Sequence, residues 1–111
     1  MAEKPLEGKQ SAIDMMVLKA LSIDDMHGWG ISQYIQHVSR DVLQINQGSL
    51  YPALHRLEQQ GWIESEWGLT ENNQRARFYR LTAAGKQQLA TEESKWKLFV
   101  KTVARVLRAQ E

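Results

Sequence analysis

The side chains best suited to contacting another molecule lie in residues 46–61, which read NQGSLYPALHRLEQQG. Leu50, Leu54 and Leu57 recur at helical spacing, which predicts a helix with one buried face. Between the leucines stand a proline and several hydrogen-bonding side chains, in the order Ser49, Tyr51, Pro52, His55, Arg56 and Gln59. Hydroxyl and guanidinium groups donate to phosphates, and a guanidinium also forks onto a guanine edge. The pattern indicates a surface that enters a DNA groove; a solvated amphipathic helix with an exposed tyrosine is the alternative.

The ends of this helix are marked by residues that favour helix boundaries. We expect it to run from about Gln47 to Gln60, with Asn46 as the N-cap and Gly61 as the terminating residue. Pro52 is unusual, because proline suits only the first turn of a helix. Either the helix begins near Gly48 or its opening turn is distorted. The free N–H groups of the opening turn offer a phosphate a site to bind.

A predicted β-hairpin follows this helix. The runs WIESEWGL and RARFYRL are rich in strand-forming residues, and TENNQ between them is a turn signal. Since side chains alternate along a strand, Arg75 and Arg77 share a face near the turn. No Asp or Glu lies between Asn72 and Leu81, so we expect a positive local field. The two arginines would contact phosphates or the minor groove. A solvated edge strand is the alternative.

The other predicted elements complete a recognisable order. A helix is expected from Ser11, its N-cap, and a second in GWGISQYIQHVSR; DVLQI alternates like a short strand. The sequence helix, helix, helix, hairpin, helix predicts a mainly α (α+β) fold: a winged helix-turn-helix with a two-stranded β wing and a long C-terminal dimerisation helix. We expect a flexible arm over residues 1–10, a DNA-binding domain over 11–81 and a dimerisation helix over 82–111.

The last helix has an apolar stripe that a small domain cannot easily cover. The stripe consists of Leu89, Trp96, Val100, Val103 and Leu107 and is broadened by Phe99 and Val106. A second copy of the chain is the economical partner for this surface, and packing against its own domain is the alternative.

Composition excludes several classes of protein. The chain has 111 residues, of which 42% are hydrophobic and 24% charged, as in a soluble globular domain. It has no Cys, and its three His residues fall in different predicted elements, so we expect no metal site and no cofactor. Neither a phosphate-binding glycine loop nor a nucleophile motif is present, so we do not expect an enzyme. No apolar run approaches membrane-spanning length, which predicts a cytoplasmic protein.

Three segments resemble the PadR family of bacterial transcriptional regulators: HGWGISQYI, NQGSLYPALHRLEQQGWIESEW and QRARFYRLTAAGKQQL. The resemblance runs from about Ser11 to Leu89 and is strongest in GSLYPALHRLE and YRLTAAG. It implies a homodimer that binds a palindromic double-stranded operator, usually represses, and often releases DNA when a small aromatic effector binds. It also implies groove contacts from Gln47, Ser49, Tyr51, Pro52, His55 and Arg56, and wing contacts from Arg75 and Arg77. The family's wing often has Gly and consecutive basic residues where this chain has NNQRAR.

The same resemblance places the last helix across the dimer partner. Paired Trp96 indoles would then sandwich a flat aromatic effector, with Asp14 and Met15 lining the site and Asp14 favouring a cation. The alternative is that Trp96 is an interface anchor. Two other functions stay open: a winged-helix module that binds proteins, and a DNA-binding regulator without an effector.

Overall fold

The computed structural model describes residues 9–110, which form four helices and a three-stranded antiparallel sheet. In chain order the elements are α1 (Lys9–Ile23), β1 (Met26–His27), α2 (Gly28–Val38), α3 (Gln47–Gln59), β2 (Ile63–Leu69), β3 (Arg75–Leu81) and α4 (Ala83–Arg108).

The core forms where α1, α2 and α3 meet. Val17 and Leu18 of α1 and Ile31 of α2 are fully buried. The leucines of α3 join them, and each buried side chain of this size contributes about 1.5–3 kcal/mol to folding. The buried leucine face predicted for α3 is therefore confirmed.

The start of α1 differs from the expectation. The helix already includes Lys9, so Ser11 lies inside it and is not the N-cap. The expected arm over residues 1–10 falls mainly on residues 1–8, which lie outside the described residues.

The bounds predicted for α3 are confirmed. The Asn46 carboxamide oxygen accepts a hydrogen bond from the Ser49 N–H at 2.9 Å, which satisfies one free donor of the first turn. Gly61 follows the helix with φ +79°, a conformation that favours glycine. Pro52 lies within the helix, in its second turn. Because proline has no N–H, the Gly48 carbonyl receives no helical hydrogen bond from this position.

The sheet contains the predicted hairpin and one strand that was not predicted. Strands β2 and β3 pair from Ile63↔Leu81 to Leu69↔Arg75, and we call this hairpin, with its turn at residues 70–74, the wing. The third strand, β1, pairs with β3 through Met26↔Tyr79 and His27↔Phe78.

The prediction of a strand in DVLQI was wrong. Arg40 and Asp41 adopt left-handed φ angles of 54° and 67°, which turn the chain between α2 and α3. Val42 and Leu43 of this connection are exposed and pair with no strand.

Helix α4 begins against the wing and then leaves the domain. The Thr82 hydroxyl accepts from the Gly85 N–H at 3.0 Å and caps the helix. A Cβ on Gly85 would lie 2.0 Å from the Trp62 carbonyl oxygen, so glycine is required for this close approach. Leu89 is buried in the core, whereas most side chains after Trp96 are exposed. The segment from Trp96 to Arg108 is about 20 Å long at the helical rise.

Candidate nucleic-acid interface

The side of α3 opposite its leucines is open to solvent. At 100° per residue, Gly48, Pro52, His55 and Gln59 fall on one stripe directly opposite the buried face. All four residues are exposed, and Gln47 beside them is exposed as well. We call this set, Gln47, Gly48, Pro52, His55 and Gln59, the outer stripe. It presents an imidazole and two carboxamides, which can hydrogen-bond to base edges or phosphates.

One flank of α3 faces α2 and the wing. Tyr51 is 45% exposed and lies against the start of α2, where a Cβ on Gly28 would be 2.5 Å from its hydroxyl oxygen. A groove of about 800 Å³ continues from this tyrosine to the wing. Its walls include the aromatic and cationic side chains of Trp29, Tyr51, Trp67, Arg75, Arg77 and Phe78, together with Glu71. The exposed tyrosine and the wing arginines thus line one continuous concave surface.

The other flank of α3 faces α1. An Arg56 guanidinium nitrogen donates to the Asp14 carboxylate at 2.7 Å, and the Arg56 side chain is 36% exposed. Its Nε is buried without a hydrogen-bond partner among the described residues. The expectation that Arg56 stands free on the outer surface was therefore wrong. Position 56 lies next to the buried Ala53 on the helix circumference, where α1 covers it.

Ser49 lies on the same flank as Arg56, two turns earlier. It is half-buried, its backbone N–H is used by the Asn46 cap, and its side chain lines a second groove near α4. The six α3 residues expected to face a groove are therefore divided. Gln47, Tyr51, Pro52 and His55 are exposed, whereas Ser49 and Arg56 turn toward α1.

The wing is less positive than its own residues suggest. Arg77 pairs with Glu58 of α3 at 3.1 Å and also donates to the Ser65 hydroxyl. Arg80 pairs with Glu64 at 2.9 Å and Glu66 at 3.2 Å. The expectation of a clearly positive field was therefore wrong, because carboxylates on β2 and α3 neutralise two of the three arginines.

Arg75 is the exception among the wing arginines. Its guanidinium carbon lies 4.5 Å from the ring centroid of Trp67, and no carboxylate of the described residues lies within ion-pair distance of it. The wing therefore offers one uncommitted cation beside the groove.

Two wing residues have pKa values shifted by their surroundings. Burial raises the pKa of the Tyr79 phenol at the base of the groove, while nearby Arg77 opposes the shift. Tyr79 therefore stays neutral and can serve as a hydrogen-bonding group but not as a charge. The hydrogen bonds that Arg80 donates to Glu64 and Glu66 raise the pKa of Arg80, which remains a cation on the opposite face of the wing.

Sequence reasoning did not identify the two tryptophans of the groove. Trp29 is 61% exposed and Trp67 is 57% exposed. The signal for Trp67 was present, because Trp67 shares one strand face with Ser65 and Leu69. Its partner across the hairpin, Arg77, lies on the same face of the sheet. Trp29 had no comparable signal, because its place in the same groove as Tyr51 depends on how α2 packs.

A second groove, of about 370 Å³, lies between α1, the α2–α3 connection and α4. We call it the tryptophan groove; its walls include Ala12, Ile13, Met16, Leu43, Ile45 and Trp96. The Trp96 indole stacks edge-to-face on Phe99, and its buried Nε1 has no hydrogen-bond acceptor among the described residues.

Asp14 and Met15, which were expected beside Trp96, do not line this groove. Asp14 is turned toward Arg56, and Met15 packs against the hydrophobic core. The adjacent positions Ile13 and Met16 occupy the groove instead, because successive residues of a helix point about 100° apart.

The apolar stripe of α4 is uncovered in the single chain. Phe99 is 41% exposed, Val100 59%, Val103 37% and Leu107 79%. Packing against its own domain, the alternative considered from the sequence, accounts for Leu89 and part of Trp96 but not for these four side chains.

Residues 9–110 contain neither a metal-binding cluster nor a membrane-spanning helix. No group of three His, Asp or Glu side chains there could hold a metal ion. No helix in that range is long and apolar enough to cross a membrane.

Known proteins are similar to this chain in sequence and in fold. The transcriptional regulator PadR-like family matches residues 17–91. A transcriptional regulator of Mycobacterium tuberculosis is 33% identical over 86 residues, 78% of this chain and 77% of that protein. A transcriptional regulator from Clostridium thermocellum has a TM-score of 0.78 at 29% identity and covers 86% of this chain and 93% of its own. A PadR family transcription regulator from Clostridium difficile has a TM-score of 0.72 at 27% identity, covering 86% and 97%.

These matches confirm the winged helix-turn-helix fold and the long C-terminal helix expected from the sequence. The family match spans the elements that carry the outer stripe and the wing. The chain therefore belongs to the PadR-like family of transcriptional regulators, which are DNA-binding proteins and not enzymes.

Proposed function

We propose that this regulator is a cytoplasmic repressor that binds a palindromic operator as a homodimer and is released by a small aromatic effector. The observation that supports it best is the groove that joins Tyr51, on the exposed flank of α3, to Arg75 of the wing. If α3 lay in the major groove of a duplex, the adjacent phosphate backbone would face this concave surface.

In this proposal α3 is the recognition helix. The outer stripe and Tyr51 enter the major groove, where His55 and Gln59 are the candidates for base contacts. Gln59 replaces Arg56 as a candidate, because Arg56 is held by Asp14. The wing contributes Arg75 to the phosphate backbone, and Arg77 contributes less because Glu58 already neutralises it.

The dimer is supported by the exposed apolar stripe of α4. Dimerisation is typical of the family. Four large apolar side chains on about three turns of helix are a surface that a second copy of the same stripe can cover. A two-fold dimer would place two recognition helices on half-sites about 34 Å apart, one turn of DNA.

The effector site we propose is the tryptophan groove. Its walls are mostly apolar, and the buried Trp96 Nε1 needs an acceptor. A flat apolar molecule with one carbonyl or hydroxyl oxygen meets both requirements. Asp14 does not give this site a preference for a cationic effector, because Arg56 neutralises that carboxylate. The groove also reaches Asn46 and Ser49 at the start of α3, so an occupant would contact the recognition helix directly.

Selection of duplexes from a random-sequence pool by the purified protein tests this function. We expect an enriched palindrome whose half-site centres lie about one DNA turn apart, bound with an affinity that falls steeply with salt. A reporter gene placed behind that palindrome should be repressed, and repression should be relieved by a compound that binds at Trp96. Enrichment of an asymmetric single site would contradict the dimer. Repression that no aromatic compound relieves would favour a regulator without an effector, and absence of any duplex binding would favour a module that binds proteins.

A further inference from the structure

The three wing arginines differ in what holds them. Arg77 and Arg80 each pair with carboxylates of the same chain. Arg75 instead lies over the indole of Trp67, with its guanidinium carbon 4.5 Å from the ring centroid. The group most available to DNA is thus fixed by an aromatic ring and not by an opposite charge.

The register of the wing creates this contact. Trp67 lies directly opposite Arg77, and Arg75 is paired with Leu69 on the next position of the same face. Trp67 and Arg75 are therefore diagonal neighbours, a separation that long side chains can bridge. The same ring also lies 5.9 Å from the Arg77 guanidinium carbon, so both arginines are within cation–π distance of the indole.

Packing within the domain does not explain a tryptophan at this position. Trp67 is 57% exposed, whereas the first residue of the same strand, Ile63, is 1% exposed and belongs to the core. Trp67 also lines the groove that contains Tyr51. Its large ring is placed on the surface where the recognition helix and the wing meet.

A guanidinium stacked on an indole keeps its charge and its hydrogen-bond donors. The ring attracts the cation through its π face, and the N–H groups at the edge of the guanidinium plane remain free. A carboxylate partner would occupy those donors and cancel the charge. Stacking therefore orders the side chain without using the groups that bind a phosphate.

We propose that Trp67 is a positioning residue for DNA binding, which holds the Arg75 guanidinium in the orientation that contacts the phosphate backbone. The inference rests on the proposed role of the wing in DNA binding. Trp67 itself need not touch the duplex.

A double-mutant cycle on a defined duplex tests this. The probe is the palindromic duplex enriched by the wild-type protein, titrated at several salt concentrations. Trp67→Leu, which keeps apolar volume but removes the ring, should weaken binding about 2- to 5-fold, the equivalent of an exposed cation–π contact. The salt dependence should stay unchanged because Arg75 is still charged. Trp67→Phe should restore part of the loss.

The Arg75→Ala background supplies the decisive comparison. Arg75→Ala alone should weaken binding and reduce the slope of log K against log salt by about 0.9, the loss of one phosphate contact. Adding Trp67→Leu to it should cause no further loss. An equal loss from Trp67→Leu in both backgrounds would overturn the proposal, since Trp67 would then contact DNA directly. No loss in either background would overturn it as well.

Two controls keep these outcomes separable. Arg75→Ala with unchanged affinity and slope would refute the wing contact assumed in the proposed function, whatever Trp67 does. Circular dichroism checks that each variant is folded. If Trp67→Leu does not fold, Arg75→Lys takes its place, because lysine keeps the charge but loses the stacking plane. It should weaken binding about 2- to 5-fold at an unchanged salt slope, and wild-type affinity for Arg75→Lys would overturn the proposal.

Discussion

The guanidinium of Arg56 on α3 donates a hydrogen bond to the carboxylate of Asp14 on α1, with 2.7 Å between the two atoms. This pair ties α3, the proposed recognition helix, to α1, which also supplies Ile13 and Met16 to the tryptophan groove. A shift of α1 caused by an occupant of that groove would therefore be transmitted to α3 through Arg56. In the proposed function, Arg56 therefore positions the helix, and its neighbours on the outer stripe are the candidates for base contacts.

Removing the Asp14 charge should destabilise the domain. Asp14→Asn leaves the half-buried Arg56 cation without its carboxylate, so we expect the free energy of unfolding to fall by about 1 kcal/mol. Urea denaturation measures this. Lys19→Gln is the matched control, because the Lys19–Glu93 pair is 3.7 Å apart and more exposed, and its loss should cost less than about 0.5 kcal/mol. Equal losses of unfolding free energy in the two variants would show that the Asp14–Arg56 pair does not hold α3 against α1.

Crowding Tyr51 should weaken DNA binding without unfolding the protein. In Gly28→Ala the new methyl group would lie 2.5 Å from the Tyr51 hydroxyl oxygen and 2.9 Å from its ring, so the ring must move. We expect at least a 5-fold loss of affinity, on the order of 1 kcal/mol. Gly30→Ala is the control in the same helical turn, because its nearest contact would be an ordinary 3.5 Å. Equal duplex affinity for both variants would place Tyr51 outside the interface.

A charge on the apolar stripe of α4 should separate the dimer. Val103→Glu puts a carboxylate among Phe99, Val100 and Leu107, where an unpaired charge in an apolar contact is costly. Light scattering should report half the wild-type mass. Leu98→Glu is the matched control, since Leu98 is 66% exposed and points to the opposite side of α4. Loss of the dimer in both variants, or in neither, would contradict the proposed interface.

An uncharged planar aromatic should bind in the tryptophan groove. With 2-naphthol as the probe, calorimetry should detect saturable binding to the wild-type protein, and Trp96→Leu should weaken it at least 10-fold, about 1.4 kcal/mol. Met16→Trp should weaken it as well, because the larger side chain fills the groove. Trp29→Leu, which removes an exposed indole elsewhere, should leave binding unchanged. Equal weakening by Trp29→Leu would place the site in the wing groove instead.

Local patterns were enough to predict most of the fold. The Asn46 cap, the three leucines of α3 and the left-handed Gly61 act within a few residues of one another, so the sequence shows them directly. The wing was equally readable, because alternation and a turn signal define a hairpin locally. Strand β1 was not, since two residues form a strand only by pairing with Tyr79 and Phe78 far along the chain.

The candidate site was predicted less completely, because its charges are set by contacts between distant elements. Arg56 looked free because its partner lies 42 positions earlier. Arg77 looked free because Glu58 and Ser65 belong to other elements. Composition of a segment gives its formal charge, whereas the field it presents depends on which carboxylates the fold brings against it.

The measurement that tests the central claim most directly is the base preference of His55→Ala compared with that of Arg56→Ala. Each variant is used to enrich duplexes from the same random-sequence pool as the wild-type protein. If the outer stripe reads DNA, His55→Ala should lose preference at one position of each half-site, at a cost of about 1–3 kcal/mol for the preferred base. Arg56→Ala should enrich the same duplex sequence as the wild-type protein does. The Arg56→Ala protein itself should be less stable. Loss of base preference in Arg56→Ala, with His55→Ala unchanged, would contradict the account.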